Sequence, residues 1–357
     1  MDSDEVERLR RDCSRALAWH GNRTPQEMLA EFGDAVAPDR YGAGGVVEEL
    51  EHEVADLLGM PAAVFMPSGT MAQQIALRIH ADDLGPRTVA FHPACHLDTH
   101  ESGAYERLHG LVGRPVGAPD RLLTLTDLDE VAEPLAALVL ELPQRDLGGA
   151  LPTWDDLTAQ VEWARGRGAA VHLDGARLWQ CGVAYGRPLA EVAGLFDSVY
   201  VSFYKDLGGL AGCCLLGSED LVARAREWRQ RHGGTLFALW PYAASALAAL
   251  RLRLPRMPAY RDHALAVAAA LDGLDDVRVT PNPPQSSMMH LHLRTTPDAF
   301  EDAVRRVAAE HDLWTWPGTF PSGHPDWQVV ELTVGDATLA LDPASIRDVV
   351  TALVSRR

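Results

Sequence analysis

Between Ala62 and Gly217, short and almost wholly apolar runs alternate with helical patterns, and this alternation constrains the fold more than any other feature of the chain. Ala62–Met66, Thr88–His92, Leu138–Leu142, Ala169–Leu173, Ser198–Ser202 and Cys213–Leu216 read as strands with little polar relief on either face. A strand apolar on both faces must be covered on both, which is the situation in a mostly parallel sheet flanked by helices. The predicted fold class is therefore α/β. Upstream, Gly44–Leu58 reads as an amphipathic helix, with Val46, Val47, Leu50, Val54, Leu57 and Leu58 on one face and glutamates over the other. Ser3–Leu17 reads as a short polar helix, an arm packed on a neighbour. After Glu219 the pattern changes to Ala- and Leu-rich helical stretches over Leu221–Leu254, broken at Pro241 and closed by Pro255 and Pro258. Strand Met288–Leu293, helix Pro297–His311, strand Val329–Val334 and helix Pro343–Val354 then compose a compact α+β unit. This reading divides the chain into an N-terminal helical arm (1–20), a large domain (21–255) and a small C-terminal domain (256–357).

The 50 acidic residues against 32 basic ones give a net charge of −18, which disfavours nucleic acid and anionic membranes as partners. No stretch approaches the ~18 uninterrupted apolar residues of a membrane span. The charged start, Met1 to Arg8, lacks the apolar core of a signal peptide. Cys13, Cys95, Cys181, Cys213 and Cys214 are odd in number and form no zinc-like CxxC pair, so they read as thiols in a reducing compartment. The expectation is a soluble cytoplasmic protein.

In open α/β sheets ligands bind beyond the carboxyl ends of the strands. Two polar residues fall there: Asp174, in His172-Leu173-Asp174-Gly175-Ala176-Arg177, and Lys205, in Ser202-Phe203-Tyr204-Lys205. Together they match what pyridoxal 5'-phosphate requires. The lysine amine can form a Schiff base with the cofactor aldehyde, and the carboxylate can keep the pyridine nitrogen protonated, making the ring an electron sink. Met66-Pro67-Ser68-Gly69-Thr70-Met71 leaves a strand and opens a helix, so the helix N-terminus with the Ser68 and Thr70 hydroxyls makes a cup for the phosphate. Ser202, ending the strand before Lys205, is counted with these cofactor-binding residues. The segment His92 to His100 offers three imidazoles. Pro93 argues against His92 and His96 sharing a helix as zinc ligands, and no third ligand is near, so no metal is expected. An imidazole stacked on the cofactor ring and able to exchange protons near neutral pH is the better use.

Four stretches resemble the threonine aldolase family, within the β-eliminating lyase group of fold type I enzymes. Tyr41-Gly42 leading into Glu48-Glu49-Leu50-Glu51 and Leu57-Leu58-Gly59 is similar to that family's YG…NELE…LLG helix. Pro67 to Ala72 is similar to its PSGTMAN loop. His172 to Leu178 reproduces its HLDGARL run, and Lys205-Asp206-Leu207-Gly208 through Gly212 resembles SKGLGAPVG. The resemblance covers roughly Tyr41 to Gly217. It implies Lys205 as the Schiff-base lysine, Asp174 as partner of the ring nitrogen and His96 as the ring-stacking histidine. It also implies Gly69 and Thr70 in the phosphate loop, Arg177 near the substrate carboxylate, and Tyr41 near an active site that a neighbouring subunit helps to build. Homodimers or homotetramers are expected on the same ground.

The departures are equally specific. Where the family commonly reads ENTHN-GG, this chain has Glu141-Leu142-Pro143-Gln144-Arg145-Asp146-Leu147-Gly148-Gly149. Gln144 thus replaces a histidine linked to carbon–carbon cleavage, and glutamine cannot take a proton at neutral pH. His20-Gly21-Asn22-Arg23-Thr24-Pro25 matches the family's N-terminal SDT-type strand loosely, and His20 is placed with the substrate-binding residues. Glu331 falls near the position where the family places a second carboxylate-binding arginine, and Tyr204 replaces the serine usual before the lysine. The expected activity is cleavage of the Cα–Cβ bond of a β-hydroxy-α-amino acid, L-threonine or L-allo-threonine-like, to glycine and an aldehyde. In that reaction His96, or a water held by Gln144, takes the hydroxyl proton. The alternatives are a transaldolase, β-lyase or racemase acting on an unusual amino acid, and a cofactor-binding protein that has lost turnover.

Overall fold

The computed structural model describes residues 1–33, 36–324 and 326–355. It separates into two compact units: one of Gln26–Asp146 with Leu151–Pro255, the other of Met1–Pro25, Leu147–Ala150 and the chain from Arg256 onward.

The larger unit is built on a seven-stranded sheet. Its strands are β1 (Ala62–Met66), β2 (Thr88–Phe91), β3 (Val112–Pro115), β4 (Ala137–Glu141), β5 (Ala170–Gly175), β6 (Ser198–Ser202) and β7 (Cys213–Gly217). Their order across the sheet is β1-β7-β6-β5-β4-β2-β3. All neighbours run parallel except β7, which is antiparallel to both β1 and β6. Each apolar run read from the sequence is a strand, and β5, β6 and β7 are buried at every position. β3 is a strand that the apolar pattern does not reveal. It lies at the sheet edge, is largely exposed, and contains Pro115, which a central strand would not tolerate because it cannot donate to the ladder.

Helix α1 (Gly45–Leu58) buries Val46, Val47, Leu50, Val54 and Leu58 as its apolar spacing requires. Each fully buried aliphatic side chain of this kind contributes about 1.5–3 kcal/mol. Glu51 departs from the expected acidic outer face. It is buried, pairs with Arg226 at 2.5 Å and accepts the Phe65 N–H at 2.7 Å, so its charge is matched rather than solvated. Helix α2 (Gly69–Leu84) lays Ala72, Ile75, Ala76 and Ile79 into a cluster with Val64, Met66, Cys213 and Leu215 of the sheet. The long helical stretch after Glu219 is two helices, α3 (Glu219–Arg231) and α4 (Trp240–Arg253). Pro241 does not break a helix. It sits in the first turn of α4, where its missing N–H is no loss.

In the smaller unit four antiparallel strands run in the order Phe320–Pro321, Gln328–Thr333, Met288–Leu293, Val277–Thr280. Helices Met257–Leu271, Pro297–His311 and Pro343–Val354 belong to the same unit. The polar N-terminal helix covers Ser3–Asp12, not Ser3–Leu17. Arg15–Ala16 instead pairs in parallel with Leu313–Trp314, and Leu17 is buried. No residue of that helix is buried, and Glu5 pairs with Arg305 of Pro297–His311 at 2.7 Å, an exposed contact worth little by itself.

Candidate active site

The parallel strands aim their carboxyl ends at one edge of the large sheet, and the candidate residues collect there. Glu141, the last residue of β4, is the register partner of Asp174 on β5. The chain leaves β6 at Ser202 and enters the turn that carries Lys205.

Asp174 is almost completely buried. Its Oδ1 accepts the Ala176 N–H at 3.1 Å, and its Oδ2 accepts the Gln73 Nε2–H at 2.5 Å. Lys205 is partly buried, and burial first, then the Arg177 guanidinium, pushes its ammonium below the usual lysine range, while Asp174 pulls the other way. A lysine depressed in this way holds more of its neutral, nucleophilic form. Its Nζ lies 5.8 Å from the centre of the Tyr204 ring. Arg177 is buried, with Nε 3.8 Å from Oδ1 of Asp206, the buried residue directly after the lysine.

His96 opens the short helix His96–Thr99 and remains half-buried. Its Nδ1 donates to Glu101 Oε1 at 3.1 Å, which leaves Nε2 as the acceptor nitrogen of the neutral ring. Burial raises the Glu101 carboxyl, and its hydrogen bond with His96 acts against that rise. Burial, and next the Asp174 charge, push Glu141 well above the carboxylate range. Glu141 also organises its surroundings. Oε2 accepts from His96 N at 3.2 Å and Gln144 Nε2 at 3.1 Å, while Oε1 accepts from Arg145 N at 3.0 Å. Gln144 is buried, and its amide N–H groups are committed to Glu141 and, at 3.0 Å, to the Ala94 carbonyl.

At the other side of the site Ser68 is the N-cap of α2 but makes no side-chain cap, so its hydroxyl and the first-turn N–H groups are not spent on each other. Gly69 is required by close approach: a Cβ there would lie 2.2 Å from the Tyr200 hydroxyl. Thr70 follows in the first turn. Ser202 Oγ is buried and has no hydrogen-bond partner among the described residues. This donor set fits pyridoxal phosphate: a depressed lysine, a buried carboxylate with both oxygens anchored, an uncapped helix start against a glycine, and a spare buried hydroxyl.

The remaining expected residues serve locally or belong to the smaller unit. His92 is a loop staple, its Nε2–H shared between the Ala118 and Arg121 carbonyls at 3.0 and 2.8 Å and its Nδ1 accepting from Ala94 N. Tyr41 is 55% exposed in a left-handed conformation and packs edge-on against the equally exposed Phe237. His20 belongs to the smaller unit, where Asp336 N donates to its Nδ1 at 3.3 Å beside Trp19 and Tyr260. Glu331 is also in that unit, facing His290 across two antiparallel strands. Gln73, Ser198 and Asp206 carry contacts at or behind the site that sequence reasoning assigned to no role. Gln73 had one available signal, a polar residue on a helical face that is otherwise Ala72, Ile75, Ala76 and Ile79.

A family model described as β-eliminating lyase matches residues 23–294. A solved structure of a candidate aromatic amino acid β-eliminating lyase/threonine aldolase from Exiguobacterium sp. 255-15 is 39% identical, with a TM-score of 0.91 and 98% of both chains covered. A candidate L-allo-threonine aldolase from Listeria monocytogenes EGD-E matches with the same TM-score and coverage at 36% identity. The low specificity L-threonine aldolase of Escherichia coli K12 is 32% identical over 250 residues, 68% of this chain and 73% of that protein.

Proposed function

We propose, from the premise that this chain belongs to the β-eliminating lyase family, that it cleaves the Cα–Cβ bond of a β-hydroxy-α-amino acid, giving glycine and an aldehyde. It is a pyridoxal phosphate-dependent lyase of fold type I, akin to threonine aldolases. The identity of the substrate, L-threonine or L-allo-threonine-like, is our reading. The observation that carries it is the joint placement of Lys205, Asp174, Arg177 and His96 in one electrostatically coupled cluster at the carboxyl edge of the sheet.

When bound, pyridoxal phosphate supplies an aldehyde for an amine and a protonated ring that accepts the electron pair left on Cα. Lys205 would provide that amine, and its depressed basicity keeps more of it in the neutral, nucleophilic form. Asp174 presents an anion to the ring nitrogen. Ser68, Gly69 and Thr70 hold the phosphate at the start of α2, and Ser202 adds a hydroxyl. Arg177 fixes the substrate carboxylate, and Asp206 restrains the guanidinium. His96 has Nδ1 anchored on Glu101 and so offers Nε2 to the β-hydroxyl, whose proton leaves as the Cα–Cβ bond breaks. Gln144 has both amide protons engaged, so it can present only its carbonyl oxygen, which orients a hydroxyl or water without keeping the proton.

The exposed Tyr41–Phe237 pair supports self-association as a homodimer or homotetramer in which Tyr41 reaches a neighbour's site. His20 is assigned to the substrate on resemblance alone. Five free, buried cysteines support residence in the cytoplasm. The acidic balance speaks against nucleic-acid and membrane partners, and no helix among the described residues is long and apolar enough to cross a membrane.

Purified holoprotein should release aldehyde from L-threonine, L-allo-threonine or phenylserine, and no aldehyde from any of them with cofactor bound would overturn the aldolase reading. The engaged Gln144 favours a second reading, a specialised transaldolase, β-lyase or racemase. Aldehyde exchange without free glycine would mark the transaldolase, pyruvate and ammonia from β-substituted substrates the β-lyase, and loss of optical activity the racemase.

A further inference from the structure

Behind Asp174 lies a line of buried side chains that the proposed chemistry leaves unused. Gln73 and His80 are seven residues apart on α2, two turns, and so share its face toward the sheet. His172 and Asp174 are two apart on β5 and so share one face of the strand. Ser198, on β6, is the register partner of His172. These three elements bring the groups into contact in series. His80 Nε2 lies 2.8 Å from Ser198 Oγ, and Ser198 Oγ 2.7 Å from His172 Nδ1. His172 Nε2 lies 3.0 Å from Gln73 Oε1, and Gln73 Nε2 2.5 Å from Asp174 Oδ2.

Donor and acceptor bookkeeping leaves one arrangement. The Gln73 amide nitrogen can only donate, and it donates to Asp174. The Gln73 carbonyl can only accept, so His172 must carry its proton on Nε2. Burial pushes His172 down to about 3, so the ring is neutral and Nδ1 is an acceptor for the Ser198 hydroxyl. Ser198 Oγ in turn accepts from Nε2–H of His80, which burial also depresses. Every link therefore donates in the direction of Asp174. An amide in the series does not pass protons on as a hydroxyl or imidazole does, so the line is a fixed array of dipoles rather than a proton wire. Aligned links polarise one another, and the last one meets a carboxylate in a low-dielectric setting.

We infer that His80, Ser198, His172 and Gln73 form a positioning array that holds the Asp174 carboxylate at a fixed angle to the cofactor ring, with Gln73 as its terminal residue. The inference rests on Asp174 being the partner of the ring nitrogen. The array explains why a glutamine, uncharged and bifunctional, stands between a histidine and an aspartate in an otherwise apolar layer. It also separates the two adjoining strand-end carboxylates, since Asp174 is served by the array whereas Glu141 is served by backbone N–H groups and Gln144.

The test compares wild type with Gln73→Met, which keeps side-chain length and removes both hydrogen bonds. Apoprotein is titrated with pyridoxal phosphate, the visible band of the loaded protein is recorded, and kcat and KM are separated. With melting temperature nearly kept, cofactor affinity and kcat should each fall about tenfold, the scale of one lost charge-assisted hydrogen bond, with the band displaced and KM little changed. A folded Gln73→Met protein with unchanged affinity and band would overturn the array. Should that variant fail to fold, nitrogen-15 NMR of histidine-labelled wild-type apoprotein decides. A neutral Nε2–H His172 that does not titrate between about pH 5 and 8 supports the array, and an Nδ1–H form or a titration in that range removes it. Wild-type protein that loads no pyridoxal phosphate on Lys205 would take down the site assignment itself, a result distinct from an intact wild type and an indifferent variant.

Discussion

Strand β5 of the large sheet and strand Met288–Leu293 of the small one both carry histidines among apolar residues, yet they stand in opposite circumstances. β5 is buried at all six positions, whereas Met288–Leu293 alternates, with His290 and His292 on the half-exposed face. A polar side chain in the alternating strand costs little, because water reaches it. In β5 each polar side chain must find protein partners, and His172 and Asp174 both do. A histidine is thus uninformative in one strand and a pointer to chemistry in the other, and what separates them is whether the strand is covered on both faces.

Lys205→Ala should abolish borohydride-trappable cofactor and lower kcat/KM by at least about a thousandfold, read by mass spectrometry and by aldehyde release. Residual turnover near wild type would mean that the carboxyl edge of the large sheet is not the site. Next, Leu173→Ala inside β5 should cost about 2–5 kcal/mol in urea denaturation, because its fully buried cavity cannot be filled by water.

A smaller effect comes from pH. Folding raises the Glu141 carboxyl from its ordinary value up to about 7. The folded state therefore binds that proton where the unfolded chain has lost it, and the associated stability is full at low pH and disappears as pH rises through about 7. Melting of the apoprotein should show this decline, and Glu141→Gln should flatten it. His172, held at about 3, has the opposite sign: its contribution is full above the ordinary imidazole range and is lost as pH falls. Smallest of all, His292→Ala in the alternating strand should change stability by no more than about 0.5 kcal/mol. A cost equal to that of Leu173→Ala would erase the distinction between the two strands.

The same distinction governs what could be read in advance. Continuous apolar runs announced six strands of the large sheet, and Asp174 and Lys205 were visible because polar residues follow such runs directly. β3 was not visible, since an exposed edge containing Gly113, Arg114 and Pro115 resembles a loop. Nor was the end of the first helix at Asp12, because the pairing of Arg15–Ala16 with Leu313–Trp314 joins segments some three hundred residues apart. Pro241 looked like a break because proline ends helices and begins them alike. Within the site, Gln73 and Ser198 take their meaning from His172, which is 99 and 26 residues away from them respectively. The register of β5 against β6 and the docking of α2 supply that adjacency, and no local spacing records it.

The reversed direction of β7 has a consequence of its own. Because β6 and β7 are antiparallel neighbours with Ser202 opposite Cys213, residues 203–212 form a loop whose two ends are clasped together, Phe203 N donating to the Gly212 carbonyl at 3.2 Å. Gly209 N closes back on the Phe203 carbonyl at 2.8 Å. Lys205 and Asp206 therefore ride on a loop closed at its base and tied again beyond them, where the Leu207 carbonyl accepts from Arg253 Nη1 and Leu210 N donates to Ser245 Oγ, both at 3.0 Å. Held at both places, the loop fixes where the Lys205 backbone stands relative to the ends of β6 and β7.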